Sequence, residues 1–198
     1  MTGITKAVAM PNSCVFSGPN GNLDFRCFTG TREYFDADFF TLFSPISVSQ
    51  IRELWVGQRA ESYPCSEIRP WEQSAVGVRG ALEVLKKVED LTIVSCEMGP
   101  FFAMLGATVD GGTLLPGLRN LTIYVGCGEL HVSALARCAK ARKEDFRPLE
   151  KVTVVWGDDP RAEVMQEVEP LRRFVGELVH GVSEAPELPR AGGIRDSW

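Results

Sequence analysis

Val88-Glu-Asp-Leu91-Thr-Ile93-Val-Ser-Cys96 decides the fold, because its pattern of apolar-x-x-apolar-x-apolar, with a charged or amide pair in the middle, recurs along the chain. Ile51-Arg-Glu-Leu54-Trp-Val56, Leu118-Arg-Asn-Leu121-Thr-Ile123 and Leu149-Glu-Lys-Val152-Thr-Val154 carry the same pattern. Counted on Leu54, Leu91, Leu121 and Val152, successive copies are 37, 30 and 31 residues apart, and a weaker copy at Leu23-Asp-Phe25 precedes the first by 31. Each copy ends in period-2 alternation rich in Thr, Val and Ile, which reads as a short strand with one face buried.

Helical patterns lie between the copies. Phe35, Phe39, Phe40 and Leu42 form a compact apolar turn stopped by Pro45, and Val78, Leu82 and Leu85 sit at one-face helical spacing within 74–87. Pro100 opens a helix over 100–109 that stops at Asp110-Gly111-Gly112, and Val132, Leu135, Ala136 and Ala139 mark another over 132–144. A last helix is expected over 160–180, capped by Asp159 and kinked or split at Pro170. Strand and helix thus alternate five times, which demands parallel strands joined by right-handed crossovers. A doubly wound α/β sheet and a curved α/β solenoid both satisfy that order. The internal repeat favours the solenoid, with parallel strands in chain order and helices on its convex side. Its limits are drawn as a turn-rich N-terminal segment at 1–22, an α/β domain at 23–180 and a disordered tail at 181–198.

Composition narrows the function. The chain has 198 residues, 21 basic against 26 acidic side chains and a net charge of -5, an acidic balance that argues against nucleic acid as the partner. There is no run of 18 apolar residues and no charged-then-apolar order at the start, so neither a membrane span nor a signal peptide is expected. Six cysteines without a Cys-x-x-Cys pair read as reduced, mostly buried thiols in a cytoplasmic or nuclear protein. No Gly-x-Gly-x-x-Gly, phosphate-binding loop, His-Glu-x-x-His or Gly-x-Ser-x-Gly is present, and no cofactor or metal is expected.

Val88-x-x-Leu91-x-Ile93-x-x-Cys96 matches the leucine-rich-repeat core at every fixed position, whereas the copy at 118 carries its Cys one place late and those at 51 and 149 end in Arg59 and Gly157. Over residues 48–180, through segments such as Leu121-Thr-Ile-Tyr-Val-Gly126 and Arg147-Pro-Leu-Glu-Lys-Val-Thr-Val-Val155, the chain resembles the C-terminal repeat region of fungal, mushroom-type F-box/leucine-rich-repeat proteins. That resemblance implies a non-enzymatic recognition arm of an SCF ubiquitin ligase that binds a substrate protein. No F-box is visible, so adaptor docking is expected only if one lies upstream, and a truncated gene product is the further alternative.

The letters between the repeat's apolar positions line up as three rows on the opposite strand face. These are Glu53, Asp90, Asn120 and Lys151; then Trp55, Thr92, Thr122 and Thr153; then Gly57, Val94, Tyr124 and Val155. On a solenoid this face is concave and holds extended partners. Glu53, Trp55, Asp90, Thr92, Asn120, Thr122, Tyr124, Lys151 and Thr153 are therefore the candidate binding residues, with an exposed Trp55 near Tyr124 as the natural anchor. The plainer alternative is ordinary strand positions, with Trp55 covered by the N-terminal segment. Arg137, Lys140, Arg142, Lys143 and Arg147 read as a solvated helix end. Cys127 and His131, four residues apart, suggest a nucleophile and base only in the enzyme alternative, where a pocket would be lined by Cys127, Glu129 and His131.

Overall fold

The structure is a computed structural model that describes residues 5–10, 13–18, 21–26, 50–57, 79, 82–95, 99–109, 112–125, 130–157 and 166–183. The repeat copies form strands β4 (Glu53–Gly57), β5 (Asp90–Ser95), β8 (Asn120–Val125) and β9 (Lys151–Trp156). They lie side by side, parallel and in chain order, and β10 (Glu177–Val182) follows β9 in the same sense. Leu54, Leu91, Leu121, Val152 and Leu178 are partners in register, each at most 4% exposed, so the repeat's second apolar position forms one buried column. Val56, Ile93, Ile123 and Val154 make the next column.

The entry to each strand explains this register. The carbonyl of Thr5 accepts from the amides of Arg52 (2.8 Å) and Glu53 (3.2 Å), and that of Arg52 accepts from Glu89 (2.8 Å) and Asp90 (3.0 Å). Glu89 O serves Arg119 and Asn120 (both 2.9 Å), and Arg119 O serves Glu150 (2.8 Å) and Lys151 (3.2 Å). Four consecutive junctions therefore share one bifurcated hydrogen bond, at the charged pair in the middle of the repeat. Just before these charged pairs, Ile51, Val88, Leu118 and Leu149 are buried at 0–2% exposure.

The connecting elements pack on the apolar side. Helix α1 (Gly99–Gly106) buries Phe101, Phe102 and Leu105; after it β6 (Thr108–Val109) and β7 (Gly112–Thr113) pair antiparallel. Helix α2 (Val132–Glu144) buries Val132, Ala134, Leu135, Cys138, Ala139 and Arg142. At Gly106 a Cβ would stand 2.8 Å from the Cα of Cys138, so glycine sets how closely α1 approaches α2. The apolar side chains of these helices and of the strand columns belong to a single core. Consecutive parallel strands with crossovers of one hand must carry all their crossovers on one face, which is what the described helices do.

Several expectations are corrected. The segment read as turns at 1–22 holds β1 (Lys6–Met10) and β2 (Ser13–Gly18), followed by β3 (Gly21–Arg26). These form an antiparallel meander, and β1, not the copy at Leu23-Asp-Phe25, pairs parallel with β4. Strand order thus reverses at the parallel β1/β4 pair, with β2 and β3 on one side of it and β5 to β10 on the other. The helix expected over 100–109 ends at Gly106, where close contact with α2 gives way to β-branched Thr108 and Val109. The helix expected over 160–180 is helical at 166–168, becomes a 3-10 turn at Glu169–Arg173 with Pro170 near its start, and is replaced by β10. Gly176 stops it: a Cβ there would lie 2.6 Å from the Glu150 carbonyl, and Gly176 N instead donates to Leu149 O at 3.0 Å. The limit drawn at 180/181 therefore falls inside β10. Residues 35–43 and 184–198 lie outside the described residues.

Arg142 corrects the reading of a solvated helix end. It is 0% exposed, and it donates from Nη1 to Leu114 O (2.9 Å) and from Nη2 to Leu115 O (3.0 Å) and Leu118 O (3.3 Å). The turn it satisfies leads into β8 and holds Leu115 at φ 48. Two residues after α2, Phe146 also has a left-handed φ of 58 and is 93% exposed. The amide of Phe146 donates to Lys143 O and that of Arg147 to Arg142 O, a helix-ending arrangement whose left-handed position suits glycine.

Replacing Arg142 by Met takes the guanidinium from the Leu114 and Leu118 carbonyls and leaves Leu115 O with the Leu118 amide at 2.9 Å, and is expected to cost roughly 3 kcal/mol in urea unfolding. Phe146→Gly removes the ~1–2 kcal/mol left-handed penalty of an L-residue against a ~0.5–1 kcal/mol entropic cost of glycine. A net gain of about 0.5–1 kcal/mol is expected in the same measurement, and a loss would contradict it.

Candidate functional site

The three polar rows fall in register across the sheet face opposite the helices. Glu53, Asp90, Asn120 and Lys151 align and continue to Glu177; Trp55, Thr92, Thr122 and Thr153 continue to Val179; Gly57, Val94, Tyr124 and Val155 continue to Gly181. The nine candidate residues are thus brought onto one surface about 14 Å wide across four strands. Their exposure is uneven. Asp90 is exposed and Glu53, Trp55, Asn120, Thr122, Tyr124, Lys151 and Thr153 are half-buried, but Thr92 is buried at 8%. Thr92 departs from the open position expected of it because a short side chain in a central strand sits in register between Trp55 and Thr122. Val155, in the third row, is buried as well.

Trp55 and Tyr124 are not neighbours. β5 lies between their strands, about 9.6 Å of sheet. The Trp55 indole Nε1 instead donates to Glu53 Oε1 on its own strand at 2.5 Å.

Charge is organised along the strand entries. Arg52, Glu89, Arg119 and Glu150 alternate in sign; Arg52 pairs with Glu89, and Arg119 with Glu150 at 3.3 Å. One residue on, Asn120 Nδ2 donates to Asp90 Oδ1 at 2.7 Å and Lys151 pairs with Glu177 at 3.3 Å. These side chains are largely exposed, so each pair contributes about 0.2–1 kcal/mol; its larger effect is to oppose like-charge misalignments of the strands.

Among the other candidates, Arg137, Lys140, Lys143 and Arg147 are exposed. Lys143 Nζ donates to Arg173 O at 2.7 Å and so ties α2 to the segment before β10, whereas Lys140 lies 3.7 Å from Glu144 within α2. Cys127 and Glu129 lie outside the described residues. His131 is exposed at the start of α2, and its ring would meet a Cβ at Gly99 at 3.1 Å. Among the described residues no group of three His, Cys, Asp or Glu could hold a metal ion, and no helix is long and apolar enough to cross a membrane.

Two polar groupings escaped the sequence reading. Arg142 is one; its signal was its place three and seven residues after Ala139 and Leu135, on the apolar stripe of α2. The second joins the 3-10 turn to β10. Arg172 Nε donates to Glu169 Oε2 at 2.6 Å, and His180 Nε2 lies 3.1 Å from Glu169 Oε1 with its ring edge-on to Trp156 at 6.1 Å. Hydrogen bonds from Arg172, then His180, hold the Glu169 carboxyl below the ordinary carboxylate range.

No protein-family model, curated protein or solved structure matches the chain.

Cys138 gives the buried layer a titratable reporter. Burial, partly countered by Arg142, pushes its thiol up from 9.0 to about 11. The folded state then keeps a proton that the unfolded chain releases, so stability is full below pH 9 and declines as pH rises towards 11. Alkaline titration of unfolding free energy should show that decline in the wild type and a shallower one in Cys138→Ala; parallel curves would refute it.

Proposed function

We propose that the chain is a non-enzymatic protein-interaction scaffold, a leucine-rich-repeat-like solenoid that holds an extended partner on the polar sheet face. The observation that carries this reading is one-sided winding. β4, β5, β8, β9 and β10 follow in chain order, and the described helices share one core with one face of the sheet. Helices are about 10–12 Å wide and strands about 4.8 Å apart, so a layer of helices on one face favours a sheet that is concave on the other. A doubly wound enzyme has helices on both faces and a ligand crevice where strand order reverses. Here the reversal between β1 and β4 adjoins an antiparallel meander.

The resemblance to fungal F-box/leucine-rich-repeat proteins narrows the proposal to the substrate-recognition arm of a ubiquitin ligase, within the cytoplasm or nucleus. The partner is then a protein substrate, and adaptor subunits are expected only where an F-box precedes the repeats. The half-buried Thr122 and Tyr124 lie on β8, which β5 and β9 flank, and are the residues of choice for binding.

The test is quantitative affinity capture from cell extract with the wild type, Thr122→Lys/Tyr124→Ala on the sheet face, and Arg137→Glu on α2. Proteins retained by the wild type and by the α2 variant are expected to fall about tenfold with the face variant, the loss of ~1.4 kcal/mol. Equal retention by all three overturns the reading.

A further inference from the structure

In each parallel pair the strand residues alternate between bonding to the strand before and the strand after. The amides of Glu177 and Ser183 donate to Glu150 O at 2.7 Å and Trp156 O at 3.0 Å, so 177, 179, 181 and 183 bond inward to β9. Leu178, His180 and Val182 therefore direct their backbone groups away from β9, at the edge of the sheet that the described residues form. Leu178 continues the column of Leu54, Leu91, Leu121 and Val152, the position that in every earlier strand serves the next repeat. At this edge, Arg172 Nη1 donates to the outward carbonyl of Leu178 at 3.2 Å. The same guanidinium is held by both oxygens of Glu169, at 2.6 and 3.3 Å, and Glu169 is also bonded to His180.

We propose that Arg172, positioned by Glu169, guards the β10 edge against strand addition, and that releasing it turns this edge into a surface for pairing with a second copy of the chain. An unguarded edge strand is a template for another chain, and charge placed over it is a recognised way to block it. β10 needs such a guard. Glu-Leu-Val-His-Gly-Val carries one acidic residue at its start, and Val179 and Val182 are 36% and 54% exposed. A copy is the fitting occupant because two β10 strands pair antiparallel about a two-fold axis through His180, setting Leu178 against the partner's Val182 and closing both edges at once. This inference is independent of what the polar sheet face binds.

Sedimentation equilibrium over a range of concentrations tests it on the full chain. Arg172→Met keeps the aliphatic stem and removes the donors, and its mass is expected to rise with concentration towards twice that of the wild type. Glu169→Gln, which loosens the hold on Arg172, should move the same way by a smaller amount, and Arg173→Met should match the wild type. Arg172→Met/Val182→Pro removes an outward amide without touching the bonds to β9, and should restore the wild-type mass. The proposal fails if Arg172→Met and Glu169→Gln both keep the wild-type mass, or if Val182→Pro leaves the association intact, the latter showing that another surface is responsible. Far-UV circular dichroism separates pairing from unfolding: should Arg172→Met lose its fold, Glu169→Gln with and without Val182→Pro decides the outcome alone.

Discussion

The constraint on which the structure depends is the shared carbonyl at each strand entry. Because side chains alternate faces, a slip of one residue would send Leu54, Leu91, Leu121 and Val152 to the polar face and expose the whole column. Thr5, Arg52, Glu89 and Arg119 each accept two amides from the following entry, which leaves one register available. Charge reinforces it, since Arg52 meets Glu89 and Arg119 meets Glu150 only in that alignment. These pairs add little energy in water. Their value lies in making the misaligned alternatives worse.

Arg142 extends the same order from the sheet to the helices. The turn before β8 must be buried for Leu114, Leu115 and Leu118 to join the core, and within it Leu118 N donates to Leu115 O at 2.9 Å. One guanidinium from α2 bonds the carbonyls of all three, and so fixes the helix that follows β8 to the turn that precedes it. Burial lowers the affinity of Arg142 for its proton, and the neighbouring Arg147 adds to that while Cys138 and Asp145 oppose it. The cost of desolvating this cation is carried by hydrogen bonds to backbone rather than by a buried carboxylate.

How far function follows from this architecture depends on the two faces being unlike. One carries the apolar columns that pack against the helices, interrupted on β10 by His180; the other carries carboxylates, hydroxyls, an amide and two aromatics in straight rows. Under the scaffold proposal, a surface of that kind offers an extended chain many modest contacts along a line. The burial of Thr92 and Val155 interrupts that face at two positions, and leaves Asp90 exposed and the other candidates half-buried around them.

The amino-acid sequence by itself determined the four central strands, their order and their columns, because period-2 alternation repeated at near-constant spacing leaves few arrangements for so much apolar surface. It also marked the nine polar positions as co-facial. Only tertiary contact decided the rest. β10 is a fifth copy of the pattern, Val175-x-x-Leu178-x-His180, concealed because His180 stands where an apolar residue is usual and because Leu171, Val175 and Leu178 mimic a helical stripe. Arg142 looked like a solvent cation until a turn 24 to 28 residues away supplied its acceptors. β1, not the better-patterned Leu23-Asp-Phe25, stands beside β4, because the β1–β2–β3 meander places β3 two strands further out, an arrangement that local composition does not encode.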